Sequence, residues 1–390
     1  MNLYKFFIFI FSIVVVTSSW AMLTFDSTLY NPALASIKSM SVYLTLFLSV
    51  IISIRKGVFD KKYIYCLFPI IAYWLITTVH RYAGVEYLNL ASYLLLCSFV
   101  LLSSDIKRVL YKVYYLFFTV ISLYGIVCYA SYALGLSFIP FRLVEYYTTN
   151  ADFYIDFYAC SACLQGSIVR FCGLYNEPGL WGTMAALILC VEDLQLKKIS
   201  NLLILIAGAC CFSLAFWAIL IIYYILSRKR YLYTLLVIGS LLLIYIYVLP
   251  NIQTGNEAVD ALIGRLAYED GGFSGDNRSH EHLDYLYENV LSSSKFFLGY
   301  GGGYIVHIGY DGSLSYKTYI VEYGFIGFLL MYGSLFAAVW KYVKPCRYAW
   351  AYIAVFFISI YQRPGIFSLI YMVVLFGGLD RIKARKIITS

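Results

Sequence analysis

Long apolar stretches follow one another along almost the whole chain, at about 5–23, 39–54, 63–79, 87–104, 109–138, 178–194, 199–226, 231–250, 316–340, 349–362 and 364–379. A backbone inside lipid has no water to satisfy its N–H and C=O groups, so a run of about 20 apolar residues crosses as an α-helix. Composition agrees at the one point where it decides something. Charged residues are 13% of the 390, against roughly 25% in soluble chains. That leaves too little polar surface to coat soluble domains of this length. A cytosolic enzyme, a nucleic-acid binder and a disordered chain are therefore excluded. The expected fold class is all-α: a polytopic membrane helix bundle forming a single membrane domain over 1–390.

The flanking charges set the topology. Stretch 199–226 is long for one span and short for two. Lys197 and Lys198 precede it, and Arg228, Lys229 and Arg230 follow it. Basic residues favour the cytoplasmic side, so both ends lie inside and the segment turns back near Ser213. The segment is then two short helices, which brings the total to about twelve membrane helices, against the roughly 20 residues of an ordinary span. With both termini cytoplasmic, most of the 29 basic residues fall inside and most of the 21 acidic ones outside. A basic inner face suits anionic membrane lipid and requires no nucleic acid. Two large loops, 139–177 and 251–315, then lie outside. The first 22 residues resemble a signal peptide, with Lys5, an apolar core and Ser19-Trp20-Ala21. In a chain with so many further helices, a retained first helix is expected.

Tyrosine (41) and phenylalanine (28) are abundant. Interface anchoring accounts for most of them, and outer-face aromatics could also stack on sugars. Of the ten cysteines, most fall in spans, where they act as small apolar residues. Cys160, Cys163 and Cys172 fall in the first outer loop. No second Cys/His pair stands at zinc spacing, so no metal is expected. An oxidising compartment would permit a local disulfide, but an odd count leaves its pairing open.

Chemistry-bearing residues concentrate in the outer segments. The first loop ends in Arg170-Phe171-Cys172-Gly173-Leu174-Tyr175-Asn176-Glu177-Pro178-Gly179. Pro178 suits the first residue of a helix, and Glu177 the positive end of its dipole. Arg170 with that helix start could form an anion site or merely a cap. Gly179 and Gly182 would allow a neighbouring helix or ligand to approach closely. In the second loop, Leu283, Leu286, Tyr287, Val290 and Leu291 follow helical spacing. They predict an amphipathic surface helix with Arg278 at its start. His280 and His282 are badly spaced for a metal. A turn, Gly299-Tyr300-Gly301-Gly302-Gly303, follows, and it is no phosphate-binding P-loop. Glu322 and Arg363 lie near membrane depth, where ionisable groups face a cavity or a partner. The outer loops hold no Asp-x-Asp pair for a metal-dependent nucleotide-sugar transferase, and the chain has no Gly-x-Ser-x-Gly elbow.

These segments together resemble the bacterial O-antigen and capsule polymerases of the Wzy type, within the wider O-antigen polymerase–ligase superfamily. The matching pieces are Arg170-x2-Gly173-x3-Glu177-Pro178-Gly179, the helix led by Arg278, Gly299-Tyr300-Gly301, Glu322-Tyr323-Gly324-x2-Gly327 and Gln362-Arg363-Pro364. They span roughly 170 to 370, and the amino-terminal half matches in hydropathy alone. The resemblance implies a C-type glycosyltransferase fold in the bacterial inner membrane. It implies transfer of a growing glycan from undecaprenyl diphosphate onto a second lipid-linked repeat unit, at the outer face. Donor and acceptor are both undecaprenyl-diphosphate-linked oligosaccharides, no cofactor is needed, and a chain-length-determinant protein is a further partner. Arg170, Arg278 and Arg363 would hold the diphosphate. Glu177, His307, Asp311 and Glu322 are the candidates for the catalytic base. In the related ligases a His-Asn pair precedes the glycine matched by Gly324. Here Ser313-Leu314 stands at that place, which favours the polymerase over the ligase. A lipid-linked sugar flippase is the alternative of another class. Such transporters often show two related halves, and none are visible here.

Overall fold

The computed structural model describes residues 3–19, 32–82, 90–136, 139–144, 153–165, 168–228, 239, 255, 260, 268–269, 272–273, 281–309, 315–343, 346–361 and 363–389. The chain is mostly helical. Among the described residues, four helices are long and apolar enough to cross a membrane: Ser36–Ser53, Lys61–Val79, Ser104–Ala133 and Tyr316–Tyr342. Shorter apolar helices cover Leu3–Ser19, Leu90–Leu101, Pro178–Val191, Ile199–Ala209 and Leu214–Ser227. Four such helices, with the others shorter, fall well below the twelve spans expected; the stretch at 231–250 lies outside the described residues apart from Gly239.

The outer faces of these helices are apolar. Leu116, Val120, Leu123 and Val127 descend one side of the Ser104–Ala133 helix and are 44–62% exposed. Met40, Tyr43, Phe47 and Val50 do the same on the Pro32–Lys56 helix. Stripes at this spacing would be a liability in water and suit contact with lipid. The core lies between the helices and includes Phe7, Phe99, Phe118, Trp181, Tyr223 and Phe376.

Ion pairs define one end of the bundle. Glu192 pairs with Lys198 and with Arg381, each at 3.2 Å, and Asp193 pairs with Arg228 at 3.2 Å. Arg347 donates to the carbonyls of Leu226 (2.8 Å) and Arg228 (2.7 Å). Close by, Lys107 is wholly buried. Its ammonium stands over the Tyr63 ring at 4.0 Å and over the Tyr342 ring at 4.9 Å. Tyr342 in turn donates to Asp380 at 2.5 Å, and Lys383 lies 3.6 Å from the same carboxylate. Burial pushes the Asp380 carboxyl above the usual carboxylate range, against the hydrogen bond from Tyr342 and the charges of Lys383 and Lys107. A buried lysine is tolerable only with such partners.

Segment 199–226 is a hairpin, as its flanking charges predict. The Ile199–Ala209 and Leu214–Ser227 helices are joined by a turn at 210–213. Lys198 and Arg228, at the hairpin's two ends, pair with the adjacent residues Glu192 and Asp193.

The described part of the first large loop is not irregular. It folds as an antiparallel sheet, an addition to the all-α expectation. Strands β1 (Arg142–Val144), β2 (Phe153–Asp156), β3 (Ser161–Gln165) and β4 (Ile168–Gly173) pair in the order β1-β2-β3-β4. Arg142 pairs with Asp156 at 2.7 Å across β1 and β2. The Phe171 N–H of β4 donates to the Cys210 carbonyl at 2.9 Å, tying the sheet to the hairpin turn.

Candidate active site

At the end of the bundle away from those ion pairs, a helix is broken and a glycine-rich loop fills the break. The break is at Gly324, whose φ of 65° and ψ of −178° lie outside the helical region. Interrupting a helix frees carbonyls that would have been bonded within it. Here the Val321 carbonyl accepts from the Tyr300 N–H at 2.9 Å, and the Glu322 carbonyl from the Gly301 N–H at 2.8 Å. The Ile326 N–H donates to the Phe297 carbonyl at 3.2 Å. Backbone meets backbone at this point. A Cβ on Gly324 would lie 2.4 Å from the Leu298 nitrogen, and one on Gly299 would lie 2.5 Å from the Glu322 carbonyl carbon.

The other flank of the glycine loop is the end of the Lys61–Val79 helix. The Gly302 N–H donates to the His80 carbonyl (2.8 Å), and the Tyr82 N–H to the Gly302 carbonyl (3.0 Å). His80 also binds the Leu298 carbonyl through Nε2 at 2.6 Å. A carbonyl can only accept, so Nε2 carries the hydrogen. The loop is thus threaded between His80-Arg81-Tyr82 and the helix break.

Threading brings several functional groups together. Glu322 Oε1 accepts from the Gly303 N–H at 2.9 Å. The Arg81 guanidinium lies beside Gly303 and acts electrostatically on the Glu322 carboxyl. His307, on the short Tyr304–His307 helix, lies with its ring 4.8 Å from Tyr82. Tyr300 stacks on Tyr304 at 4.4 Å, and Tyr82 meets Tyr304 edge-on at 5.1 Å. The amphipathic helix predicted from spacing is present at Glu281–Leu291. Its Leu283, Leu286 and Val290 pack with Ile305, Ile320 and Val321, and its Asp284 binds Lys317 at 2.6 Å. A carboxylate, a guanidinium, an imidazole and an aromatic wall therefore share one surface. Such a set can take a proton, hold an anion and stack on a sugar ring.

A second cluster joins Glu177 to Arg363. Arg363 Nη2 donates to Glu177 Oε1 at 2.6 Å, and Nη1 donates to Oε2, a two-pronged contact. Glu177 occupies the N-cap position of the Pro178–Val191 helix without a side-chain capping bond, and Pro178 lies in the first turn. Gly179 makes room for the arginine: a Cβ there would lie 2.4 Å from Arg363 Nη2. Gly182 instead faces Ser213 and Phe216 of the hairpin. Tyr323, Tyr319 and Tyr332 form a chain of ring contacts at 5.9 and 5.7 Å. The Tyr332 hydroxyl then donates to the Pro364 carbonyl at 2.7 Å, which links the two clusters.

The sequence candidates separate as follows. Glu322 binds the Gly303 N–H at the helix break and His307, four residues beyond Gly303, lies against Tyr82, while Glu177 and Arg363 pair with each other. Arg170 binds the carbonyls of Cys211 (3.0 Å) and Phe212 (3.2 Å), bracing the sheet against the hairpin turn. Arg278 and Asp311 lie outside the described residues. His80, Arg81 and Tyr82 were not among the candidates. The available signal was a polar triplet directly after an apolar span. Among the described residues, no group of three or more His, Cys, Asp or Glu is placed to hold a metal. Comparisons with family models, with curated proteins and with solved structures find no match.

Proposed function

We propose that the chain is a polysaccharide polymerase of the Wzy type, acting on undecaprenyl-diphosphate-linked repeat units at the outer face of the bacterial inner membrane. In this reading about twelve helices cross the bilayer, and both termini are cytoplasmic. The basic ion-paired end faces the cytoplasm, and the helix break faces outward. The observation that carries the reading is the convergence of Glu322, Arg81, His307 and the aromatic wall on the glycine loop, at the end opposite the basic one. It supports a glycosyl transfer that needs neither nucleotide nor metal.

The transfer balances with this chain's own groups. An acceptor hydroxyl attacks the anomeric carbon of the donor glycan, and the bond from that carbon to the diphosphate oxygen breaks. Glu322 takes the hydroxyl proton. The Gly303 N–H fixes one of its oxygens, so the carboxylate is positioned before substrate arrives. The diphosphate leaves as an anion, and Arg81, with Arg278 from the second loop, stabilises its charge. Arginine suits the task because its planar fork matches phosphate oxygens. Tyr82, Tyr300 and Tyr304 supply a stacking surface for sugar rings. Arg363 and Glu177 hold the helix ends that frame the site. A chain-length-determinant protein is the further partner of this reading.

The surface glycan of a deletion strain tests it. Loss of a polymerase leaves single repeat units attached to the lipid core. Units missing from the core while lipid-linked polymer accumulates would point to a ligase, and blocked export to a flippase. Either of those outcomes would overturn the proposal.

A further inference from the structure

The three cysteines of the first outer loop acquire a fourth neighbour in the fold. Cys128, on the Ser104–Ala133 helix, is fully buried, and its thiol and that of Cys160 are close enough to act on each other. Cys160 closes the turn between β2 and β3, where the Phe157 N–H donates to the Cys160 carbonyl at 2.9 Å. Tyr124, one helical turn before Cys128, holds the same turn through the Phe157 carbonyl at 2.8 Å. The remaining two cysteines also meet. Cys163 on β3 pairs with Arg170 on β4, and a register shift follows at Ser161/Ala162. That irregularity leaves Cys172 as the extra residue of a bulge. Its side chain lies in the same small buried cluster as Cys163, with Val144 and Tyr154, and its thiol donates to the Arg170 carbonyl at 3.6 Å.

We propose that these four residues form two disulfides in the mature protein, Cys128–Cys160 and Cys163–Cys172. No disulfide joins the four in this structure. The inference rests on the outer-side placement of the sheet, because disulfides persist in oxidising compartments and not in the cytosol. Each pair of thiols loses two protons and two electrons to an oxidised dithiol oxidoreductase, which is reduced to its own dithiol by thiol–disulfide exchange. One bridge clamps the β2–β3 turn to a membrane helix. The other locks β3 to β4 two residues from Arg170, which braces the hairpin turn. Cys211 also lies near this second pair, but it belongs to the main core cluster, whereas Cys163 and Cys172 share a separate small one.

The test is mass spectrometry of the full-length protein, its thiols trapped with an alkylating reagent in denaturant so that buried ones react. The expected result is a Cys128–Cys160 and a Cys163–Cys172 cross-linked peptide pair. Cys66, Cys97, Cys190, Cys210, Cys211 and Cys346 should carry the alkyl group. Cys163→Ser should make Cys172 alkylatable and leave the Cys128–Cys160 bridge intact. A reporter active only outside the inner membrane, fused at Gly272, is read in parallel. Alkylation of all four residues with an active reporter would overturn the bridges alone. Alkylation with a silent reporter would overturn both the bridges and the outer-side placement. A Cys163–Cys211 bridge would overturn the second pairing.

Discussion

Gly324→Ala is expected to stop glycan elongation and to destabilise the purified protein by about 2–5 kcal/mol, from backbone strain together with overpacking. The backbone at Gly324 combines φ of 65° with ψ of −178°, a region open essentially to glycine alone. A Cβ there would also lie 2.4 Å from the Leu298 nitrogen and from the Phe297 carbonyl oxygen. Those are backbone atoms, held by the Ile326-to-Phe297 hydrogen bond at 3.2 Å. They cannot turn aside as a side chain could. Relief requires the glycine loop to move off the break, which carries the Gly303 N–H away from Glu322. Gly299→Ala should act in the same way from the opposite side. Because the two substitutions disturb one contact, their combined effect should fall short of the sum. Gly365→Ala meets nothing within 4 Å and serves as the stability control. Unfolding of detergent-purified variants, read beside glycan length, checks the expectation. Wild-type stability for Gly324→Ala would contradict the interlocked backbone.

Glu322→Gln and Arg81→Ala should slow elongation while leaving protein levels near wild type. Glutamine keeps the side-chain shape and can still accept the Gly303 N–H, but it cannot take the acceptor proton. Loss of a general base costs typically 10²–10⁴-fold. Arg81→Ala removes a charge-assisted contact to phosphate worth on the order of 1.5–3 kcal/mol, a slowing of about ten- to a hundred-fold or more. Arg81→Lys should recover little if the guanidinium fork is what binds. Elongation rates measured at matched protein levels separate these outcomes. An unimpaired Glu322→Gln would remove this carboxylate from the proposed chemistry.

The helices were legible because lipid imposes a one-dimensional rule, apolar residues over a fixed length, that needs no partner. The hairpin was legible for a related reason. Lys198 and Arg228 mark one end of the bundle, and their partners Glu192 and Asp193 lie beside each other. The sheet was not legible. Its strands are three to six residues long, too short for alternation to stand out, and what holds them is cross-strand register. The glycine loop and Gly324 were noticed as separate motifs, but their interlocking was invisible. His80 reaches Leu298 across 218 residues of sequence, and no local pattern records such a contact. The same distance problem hid two side-chain contacts. Glu177 and Arg363, 186 residues apart, read as a candidate base and a candidate phosphate ligand, whereas each is engaged by the other. Arg170 reads equally as an anion ligand and as an interface arginine, and its N–H groups meet the carbonyls of Cys211 and Phe212, 41 and 42 residues away.

The most direct measurement uses purified protein in liposomes, supplied with undecaprenyl-diphosphate-linked repeat units as the sole substrate and with a metal chelator present. The expected result is a ladder of lipid-linked products, each longer by one repeat unit. One undecaprenyl diphosphate should be released per bond formed, and the ladder should be lost with Glu322→Gln. Folded protein that forms no product beyond the single unit, or that only moves the lipid across the bilayer, would contradict the polymerase.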